Sequence, residues 1–199
     1  MPRRTLLGAL LVSLLVLSVD GASIALGSGH SCALLTNSAV MCWGWNYYGQ
    51  LGDGTTTDRS IPVEVSDITT ATSIALGVHS CALLTDGTMK CWGLNRWGQL
   101  GDGTTTDRAT PVEVSGITTA TSIALGSYHS CALLTNSSVM CWGRNRYGQL
   151  GDGTTTDRST PVEVSGITTA TSIALGGEGE HMCALLTDGT MKCLSLIHI

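Results

Sequence analysis

The sequence predicts an all-β propeller built from four-stranded blades, and three observations support this prediction. A segment of about fifty residues recurs along the chain, with equivalent serines at Ser23, Ser73, Ser122 and Ser172. Each unit contains four short apolar segments separated by turns rich in Gly, Asp and Thr. The 199 residues include 25 Gly and no Phe, and only 13% are charged, which favours strands and turns over helices. A fixed period of this size is typical of a fold whose units stack on one another.

The unit that begins at Ser73 shows how the strands follow one another. Cys81–Leu84 is a nearly continuous apolar run, which is typical of a strand buried on both faces between two blades. We predict strands at Ser73–Leu76, His79–Leu84, Thr88–Trp92 and Val112–Val114, with a turn at Thr85–Gly87 and a polar stretch at Leu94–Thr110 that ends at Pro111. The chain is therefore an incomplete arc of three full units and part of a fourth, at residues 23–72, 73–121, 122–171 and 172–193.

The same unit resembles the repeat of the regulator of chromosome condensation family. The shared motifs are a Gly…His-Ser…Ala-Leu run, an Asp-Gly turn, Trp-Gly-x-Asn, Gly-Gln-Leu-Gly and a later proline. They match at Gly77, His79, Ser80, Ala82, Leu83, Asp86, Gly87, Trp92, Gly93, Asn95, Gly98, Gln99, Leu100, Gly101 and Pro111. The resemblance covers essentially all of Ser23–Cys193. It implies a closed propeller of about seven blades, within the usual range for this architecture. This chain supplies fewer than four, so we expect either a fragment or several copies that assemble into a ring, and the abrupt ending favours the fragment.

The first 22 residues have the layout of a secretory signal peptide. Arg3 and Arg4 precede an apolar run at Leu6–Val19, and the small residues Gly21 and Ala22 follow it. The run is shorter than the roughly 20 residues that a membrane span needs. We expect residues 1–22 to be removed and the mature protein to be secreted, extracellular or periplasmic, with no membrane association. The alternative is an uncleaved anchor or a lipid-facing helix.

The last six residues depart from the repeat. After Cys193 the pattern requires Trp-Gly, whereas the chain continues as LSLIHI at Leu194–Ile199. Back-translated, this hexapeptide matches the transposase end sequence used in preparing sequencing libraries. We expect residues 194–199 to be adapter read-through rather than native sequence, and the native chain to continue and close the propeller. The alternative is a native stop after an apolar tail.

All eight cysteines fall in four pairs with nine residues between partners. A three-residue loop at Thr85–Gly87, with its glycine in the left-handed region, places Cys81 directly opposite Cys91. Directly opposed residues on antiparallel strands lie close enough for a disulfide. We predict four disulfides, which indicate an oxidising compartment and which cytoplasmic or nuclear relatives lack as a rule. The pairs are Cys32/Cys42, Cys81/Cys91, Cys131/Cys141 and Cys183/Cys193.

A zinc site is the alternative interpretation of the cysteines. His30, His79 and His129 each stand two residues before a cysteine, and a His-x-Cys plus Cys set is a zinc-binding combination. The export signal, the even cysteine count and the direct cross-strand pairing favour disulfides instead. The histidines are then structural, with the ring of each bonding to a neighbouring backbone group, and we predict no metal and no cofactor.

The units differ from one another mainly in the loop that follows each Trp-Gly. An Asn is fixed there, while its neighbours vary among aromatic, Leu and Arg side chains. Aromatic and Arg side chains in variable loops are typical of a protein-binding face. We assign the recurrent aromatics Tyr48, Trp97 and Tyr147 to blade packing. The predicted binding residues are Trp45, Tyr47, Leu94, Arg96, Arg144 and Arg146.

These observations predict a secreted binding scaffold rather than an enzyme. The net charge of −5 and the lack of a basic patch argue against a nucleic-acid partner, so we expect a protein or cell-surface partner of unknown identity. The family resemblance implies one alternative, guanine-nucleotide exchange on a small GTPase. A second alternative is an enzyme acting on extracellular polysaccharide, which needs clustered carboxylates, whereas Glu64, Glu113 and Glu163 occur singly.

Two further motifs carry weaker expectations. Gly101–Asp107 faintly resembles a calcium loop, but it lacks the bidentate Glu and the alternating oxygen ligands. We predict a turn in which Asp side chains bind their own backbone. Asn136-Ser137-Ser138 is a glycosylation sequon that matters only in a eukaryotic secretory route, and its position in a tight turn argues against occupancy.

Overall fold

The computed structural model describes residues 22–176 and 181–194. Apart from Ala22 and Leu194, the predicted signal peptide and the predicted adapter-derived tail lie outside these residues, as does the loop at 177–180. The described residues form strands and turns throughout, and they include no helix long and apolar enough to cross a membrane. The predicted all-β class is confirmed.

The strands form successive antiparallel sheets, which are the blades. In each sheet the strands lie side by side in chain order, so every blade is a simple meander. The first strands of successive blades contact one another and line the common axis.

Blade 1 comprises β1 (Ser23–Leu26), β2 (His30–Leu34), β3 (Val40–Gly44) and β4 (Arg59–Glu64). Blade 2 comprises β5 (Ala71–Leu76), β6 (His79–Leu84), β7 (Met89–Gly93) and β8 (Arg108–Glu113). Blade 3 comprises β9 (Ala120–Leu125), β10 (His129–Leu134), β11 (Val139–Gly143) and β12 (Arg158–Glu163). The described part of blade 4 comprises β13 (Ala170–Leu175), β14 (Met182–Leu186) and β15 (Met191–Leu194).

The central hairpin of each blade has the register that the cysteines predict. Cys81 lies directly opposite Cys91, and the Leu84 N–H donates to the Thr88 carbonyl at 3.0 Å across the three-residue loop. Gly87 at the end of this loop has a φ of 79°, in the left-handed region. Where serine replaces this glycine the backbone keeps the same conformation, with φ of 65° at Ser38 and 63° at Ser137.

All four predicted disulfides are present, and each joins the second strand of a blade to the third. The bonded pairs are Cys32–Cys42, Cys81–Cys91, Cys131–Cys141 and Cys183–Cys193. The third-strand partners in the three complete blades, Cys42, Cys91 and Cys141, are 0% exposed. These cysteines therefore lie in the packed interior and not at a surface where a ligand could reach them, so their role is structural. The zinc alternative is wrong, because every described cysteine is bonded to another.

The predicted bounds of the outer strand are wrong. β8 begins at Arg108 rather than Val112 and contains Pro111, which was expected to end the preceding polar stretch. Between the Cys91–Val112 and Gly93–Arg108 pairs, the outer strand has more residues than its partner and forms a bulge. The bulge tolerates the proline because an outer strand has one edge without a ladder, where a missing N–H costs nothing.

The same bulge recurs beside the third-strand cysteine in blades 1 and 3. In blade 1 the register shifts between Cys42, which pairs with Val63, and Gly44, which pairs with Arg59. In blade 3 it shifts between Cys141 and Gly143. Each of these cysteines is thus the last residue in register with the outer strand before the bulge. The outer strand consequently begins four residues earlier than the short segment that the sequence predicts.

The hydrophobic core lies between the blades rather than within them. Each of three clusters combines side chains of two neighbouring blades, and disulfide-bonded cysteines belong to all three. Trp142 of blade 3 is fully buried and packs into the cluster of blade 2, where Gly101 makes room for its ring. A Cβ at Gly101 would lie 2.7 Å from the indole Nε1, so only glycine fits. Leu194 takes the equivalent position in blade 4.

Candidate binding face

One end of the blades carries two loops from every repeat, and we call this end the upper face. Because each sheet is an antiparallel meander, the loop between the first two strands and the loop between the last two strands leave at the same end. Backbone hydrogen bonds join them: the Trp45 N–H donates to the Gly29 carbonyl and the Arg144 N–H to the Tyr128 carbonyl, both at 2.9 Å. The opposite end, the lower face, carries the hairpin turns and the connections between blades.

A buried asparagine holds each loop between the third and fourth strands. In blade 3 the Asn145 side chain is fully buried, and its Nδ2 donates to the carbonyls of Thr154 and Thr156 at 3.1 Å. Its Oδ1 accepts from the Leu150 N–H at 3.0 Å, and its backbone N–H donates to Asp157 at 2.7 Å. One residue therefore satisfies backbone groups along much of the loop, which explains why the asparagine is fixed while its neighbours vary.

The segment that faintly resembles a calcium loop is closed by its own hydrogen bonds. Both carboxylate oxygens of Asp102 accept from Thr104 or Arg108, and Arg108 also forms an ion pair with Asp102 at 3.0 Å. Burial raises the pKa of Asp102, but the hydrogen bonds from Thr104 and Arg108 outweigh it and hold that pKa below its usual value. The predicted turn is confirmed. Within residues 22–176 and 181–194, no group of three or more His, Cys, Asp or Glu side chains could hold a metal ion.

Arginines and aromatic rings interleave on the upper face of blades 2 and 3. The Trp97 and Tyr128 rings lie 4.5 Å apart, and the Arg144 guanidinium lies 5.5 Å from the first and 5.6 Å from the second. Arg96 lies 5.1 Å over the Trp97 ring, and Arg146 lies 5.6 Å over the Tyr147 ring. These distances are typical of cation–π contacts. The six residues form one continuous cluster, which we call the arginine–aromatic cluster: Arg96, Trp97, Tyr128, Arg144, Arg146 and Tyr147.

In the upper-face loop of blade 1, aromatic side chains take the two positions beside the asparagine that arginines take in blade 3. Trp45 and Tyr47 are stacked at 6.3 Å, and Tyr48 meets each of them edge-on, at 5.4 and 5.0 Å. Trp45 is 40% exposed and Tyr47 is 68% exposed. Beside these loops, the ends of the inner strands line a cavity of about 230 Å³ between residues Leu26–Ser28, Leu76–Gly77 and Leu125–Ser127.

The structure places five of the six predicted binding residues at the surface of this face. Trp45, Tyr47, Arg96 and Arg146 are exposed, and Arg144 is half-buried. The prediction that Leu94 lies at the surface is wrong, because its side chain is only 7% exposed. Its counterpart Arg144 contacts Trp97 of the preceding blade, so this position faces the seam between blades and an apolar side chain is buried there. The binding role of the other five stays a prediction.

The sequence interpretation missed three members of the arginine–aromatic cluster. The sequence predicts only blade packing for Trp97 and Tyr147 and no role for Tyr128, yet all three are only half-buried and contact the arginines. A signal was present in the residue types: the strands use Trp for buried aromatics, whereas all four tyrosines stand in loops, where a hydroxyl can reach water.

The buried histidines join one blade to the next. Because the Ser130 hydroxyl donates to the Gln99 carbonyl at 2.9 Å, its oxygen accepts from the Nε2–H of His79 at 2.7 Å. Trp142 also donates to the Gln99 carbonyl, at 2.9 Å. The same arrangement links His30, Ser80, Gln50 and Trp92 across the first interface. His30 and His79 are therefore structural, as predicted, but the Nε2 of each ring bonds to a serine side chain of the next blade rather than to the predicted backbone group.

The third interface departs from this arrangement. Met182 stands at the position of Ser80 and Ser130, and it is fully buried. The Nε2 of His129 is buried without a hydrogen-bond partner in the described part of the chain. Burial lowers the pKa of His129 to about 4, of His30 to about 4 and of His79 to about 3, so all three rings are neutral at pH 7.

Basic side chains are divided between the two faces, whereas carboxylates occur on both; the upper-face loops carry Asp53, Asp58, Asp102, Asp107, Asp152 and Asp157. Every described arginine lies in an upper-face loop or is the first residue of an outer strand, and every tyrosine lies in an upper-face loop. The described lysines, Lys90 and Lys192, donate to carbonyls of the lower connections. The lower ends of the blades carry the carboxylates Glu64, Asp67, Asp86, Glu113, Glu163 and Asp188. The three glutamates that were considered for an enzyme are each the last residue of the outer strand of a different blade, and their side chains are exposed.

The blade geometry, the inter-blade tryptophans and the fixed loop asparagines define a repeat propeller. The chain belongs to the regulator of chromosome condensation (RCC1) repeat family. A model of this repeat matches residues 38–84, 86–133 and 136–185, and a second model of it matches residues 22–50 and 120–149. No curated protein matches the chain by sequence.

Solved structures confirm the propeller fold. Human WBSCR16 superposes with a TM-score of 0.76 and 24% identity, over 87% of this chain and 47% of that chain. Yeast RCC1 (Prp20), solved with Kap60 bound, gives 0.73 and 24%, over 87% and 43%. The ectodomain of the Physcomitrella patens receptor kinase CR4 gives 0.53 and 22%, over 86% and 38%. The chain spans less than half the length of each, and identities this low show likeness of fold alone.

Proposed function

We propose that this chain is a secreted, disulfide-stapled propeller scaffold that binds a partner protein through its upper face. The observation that carries the proposal is the concentration of every described arginine and tyrosine at one end of the blades. Arg, Tyr and Trp are the residue types most enriched among those that dominate binding energy at protein interfaces. The loops that present them vary between repeats, while the asparagine and the core that hold the loops do not.

Secretion is supported by the disulfides. One intrachain disulfide lies within each of the four blades, and such bonds persist in oxidising compartments and are rare in the cytosol. The fold also suits an extracellular setting, because the CR4 ectodomain resembles it. Each bond closes a short loop and adds on the order of 2–3 kcal/mol, which supports a scaffold whose blades are thin sheets.

A capture experiment with matched variants tests the proposal. The full chain is immobilised and exposed to soluble proteins from its native surroundings. We expect the triple variant Trp45→Ala, Arg96→Ala, Arg144→Ala to lose the captured partner by roughly tenfold or more, as expected when interface anchors are truncated. The lower-face triple variant Glu64→Ala, Glu113→Ala, Glu163→Ala is the control and should capture normally. Equal capture by both variants would contradict the proposal.

Guanine-nucleotide exchange stays the alternative that family membership suggests. The likeness to yeast RCC1 (Prp20) concerns the fold, and fold alone is a weak argument for activity. Release of a fluorescent guanine nucleotide from a panel of small GTPases distinguishes the two functions. Acceleration by the wild-type chain that is lost in the upper-face triple variant would favour exchange over a passive scaffold.

A further inference from the structure

We infer that the upper face recognises an acidic segment of a protein, with Arg96 and Arg146 binding its carboxylates; this inference rests on the binding function proposed above. Five of the upper-face arginines fall into two groups. Arg59, Arg108 and Arg158 form ion pairs with aspartates of their own loops at 2.8–3.0 Å. Arg96 and Arg146 are exposed and form no ion pair with the part of the chain that the structure describes.

Among the described residues, Arg96 and Arg146 contact aromatic rings rather than carboxylates. The guanidinium of Arg96 lies 5.1 Å over Trp97, and that of Arg146 lies 5.6 Å over Tyr147. Stacking occupies the flat face of a guanidinium and leaves the N–H groups at its edge directed away from the ring. A side chain that is already placed loses less conformational entropy when it binds. The edge of a stacked arginine matches a carboxylate with two parallel hydrogen bonds.

The surroundings favour a protein carboxylate over a polyanion. Polyanions bind through many cations, whereas this surface offers few unpaired arginines on a chain of net charge −5. The loops between the third and fourth strands also expose Asp58, Asp107 and Asp157, so acidic and basic groups alternate on the upper face, which does not match an extended anionic chain. Trp45 and Tyr47 stand on the same face, 40% and 68% exposed, and supply apolar anchors of the kind that protein interfaces use. The combination fits an acidic segment with neighbouring apolar side chains.

Peptide selection with charge-matched variants tests the inference. Random twelve-residue peptides displayed on phage are selected on the full disulfide-bonded chain. The same selection is run on the variants Arg96→Glu, Arg146→Glu and Lys90→Glu, Lys192→Glu. Both double variants change the net charge by the same amount, but on opposite faces. We expect Asp and Glu to be enriched about twofold or more on the wild type and on the lysine variant, and Lys and Arg to be enriched on the arginine variant.

The tightest selected peptide then provides the quantitative readout. Replacing its carboxylates by amides should weaken binding to the wild-type chain roughly tenfold or more, since buried charge pairs fix the register of an interface. Peptides that require the upper face but carry no acidic excess, or bind equally as amides, would overturn the inference and leave the proposed binding function intact. Peptides that also bind the upper-face triple variant, or no selected peptide at all, would count against both. If a heparin-derived hexasaccharide binds the wild-type chain more tightly than the best selected peptide does, the upper face would be assigned to a polyanion instead.

Discussion

The substitution Ser130→Ala tests whether the hydrogen bonds between blades stabilise the fold. Ser130 is fully buried at the interface between blades 2 and 3. Its oxygen accepts from His79 Nε2–H at 2.7 Å, and its hydroxyl donates to the Gln99 carbonyl at 2.9 Å. The substitution removes both bonds and leaves the shape of the interface nearly unchanged.

The two lost bonds differ in cost. The Gln99 carbonyl keeps the Trp142 Nε1–H as a donor at 2.9 Å, so losing the hydrogen bond from Ser130 costs this carbonyl little free energy. The His79 Nε2–H has no second acceptor within the described network and stays buried. A buried donor left unsatisfied costs about 1–3 kcal/mol, so we expect the free energy of unfolding to fall by about 2 kcal/mol. For a protein of this size that corresponds to a melting temperature lower by roughly 4–8 °C.

Urea unfolding with the disulfides intact measures this change. The control is Ser31→Ala, because Ser31 occupies the equivalent position in blade 1, is half-buried and makes no side-chain hydrogen bond with the described residues. We expect the control to change stability by at most about 0.5 kcal/mol. Ser80→Ala should repeat the large effect at the first interface, where the distances are the same. Equal effects of Ser130→Ala and Ser31→Ala would refute the stabilising role of the histidine–serine bonds.

Three further predictions concern the core, acid and reducing agents. Trp142→Ala should cost about 3–5 kcal/mol in urea unfolding, whereas Trp43→Ala, at a half-buried position of blade 1, should cost clearly less. Burial lowers the pKa of His30 and His129 to about 4 and of His79 to about 3, so stability should be complete above the unfolded pKa of about 6.5 and should fall as the pH drops towards 4. His79→Gln should flatten that part of the pH profile, and an unchanged profile would contradict the assignment. Under mild reductant, timed alkylation with mass spectrometry should label the half-buried Cys183 and Cys193 before the fully buried Cys81 and Cys91; the reverse order would show that burial does not control reduction.

Local chemistry made much of the blade predictable from the sequence. The strand His79–Leu84 has the predicted bounds, because its apolar run and the turn that follows are contiguous signals. The spacing of the cysteines determines the hairpin register, since only one loop length brings them opposite each other. The outer strand was misplaced because Arg108–Thr110 is polar and precedes a proline, which are ordinary marks of a loop. The pairing of this strand depends on a bulge, and no short-range pattern in the sequence predicts that bulge.

The binding face was less predictable, because it forms between repeats. Leu94 and Arg144 occupy the same position in sequence, yet one is buried and the other is half-buried beside Trp97 of the preceding blade. Which outcome follows depends on the neighbouring blade and on the length and charge of the side chain. Tyr128 joins the arginine–aromatic cluster from a different loop of the same blade. A contact between separate loops leaves no trace in the periodicity of either one.

The repeat separates stability from recognition at the level of single positions. Asn46, Asn95 and Asn145 bind the backbone of their loops, and their side chains are fully buried. The positions on either side of them carry Trp, Leu or Arg and Tyr or Arg without altering those hydrogen bonds. A change at these flanking positions therefore alters the charge and shape of the upper face while the inter-blade hydrogen bonds, the tryptophans and the disulfides stay in place. The same scaffold can present aromatic side chains at these two positions in blade 1 and arginines in blade 3, because the residues that fold the loop are not the residues that it displays.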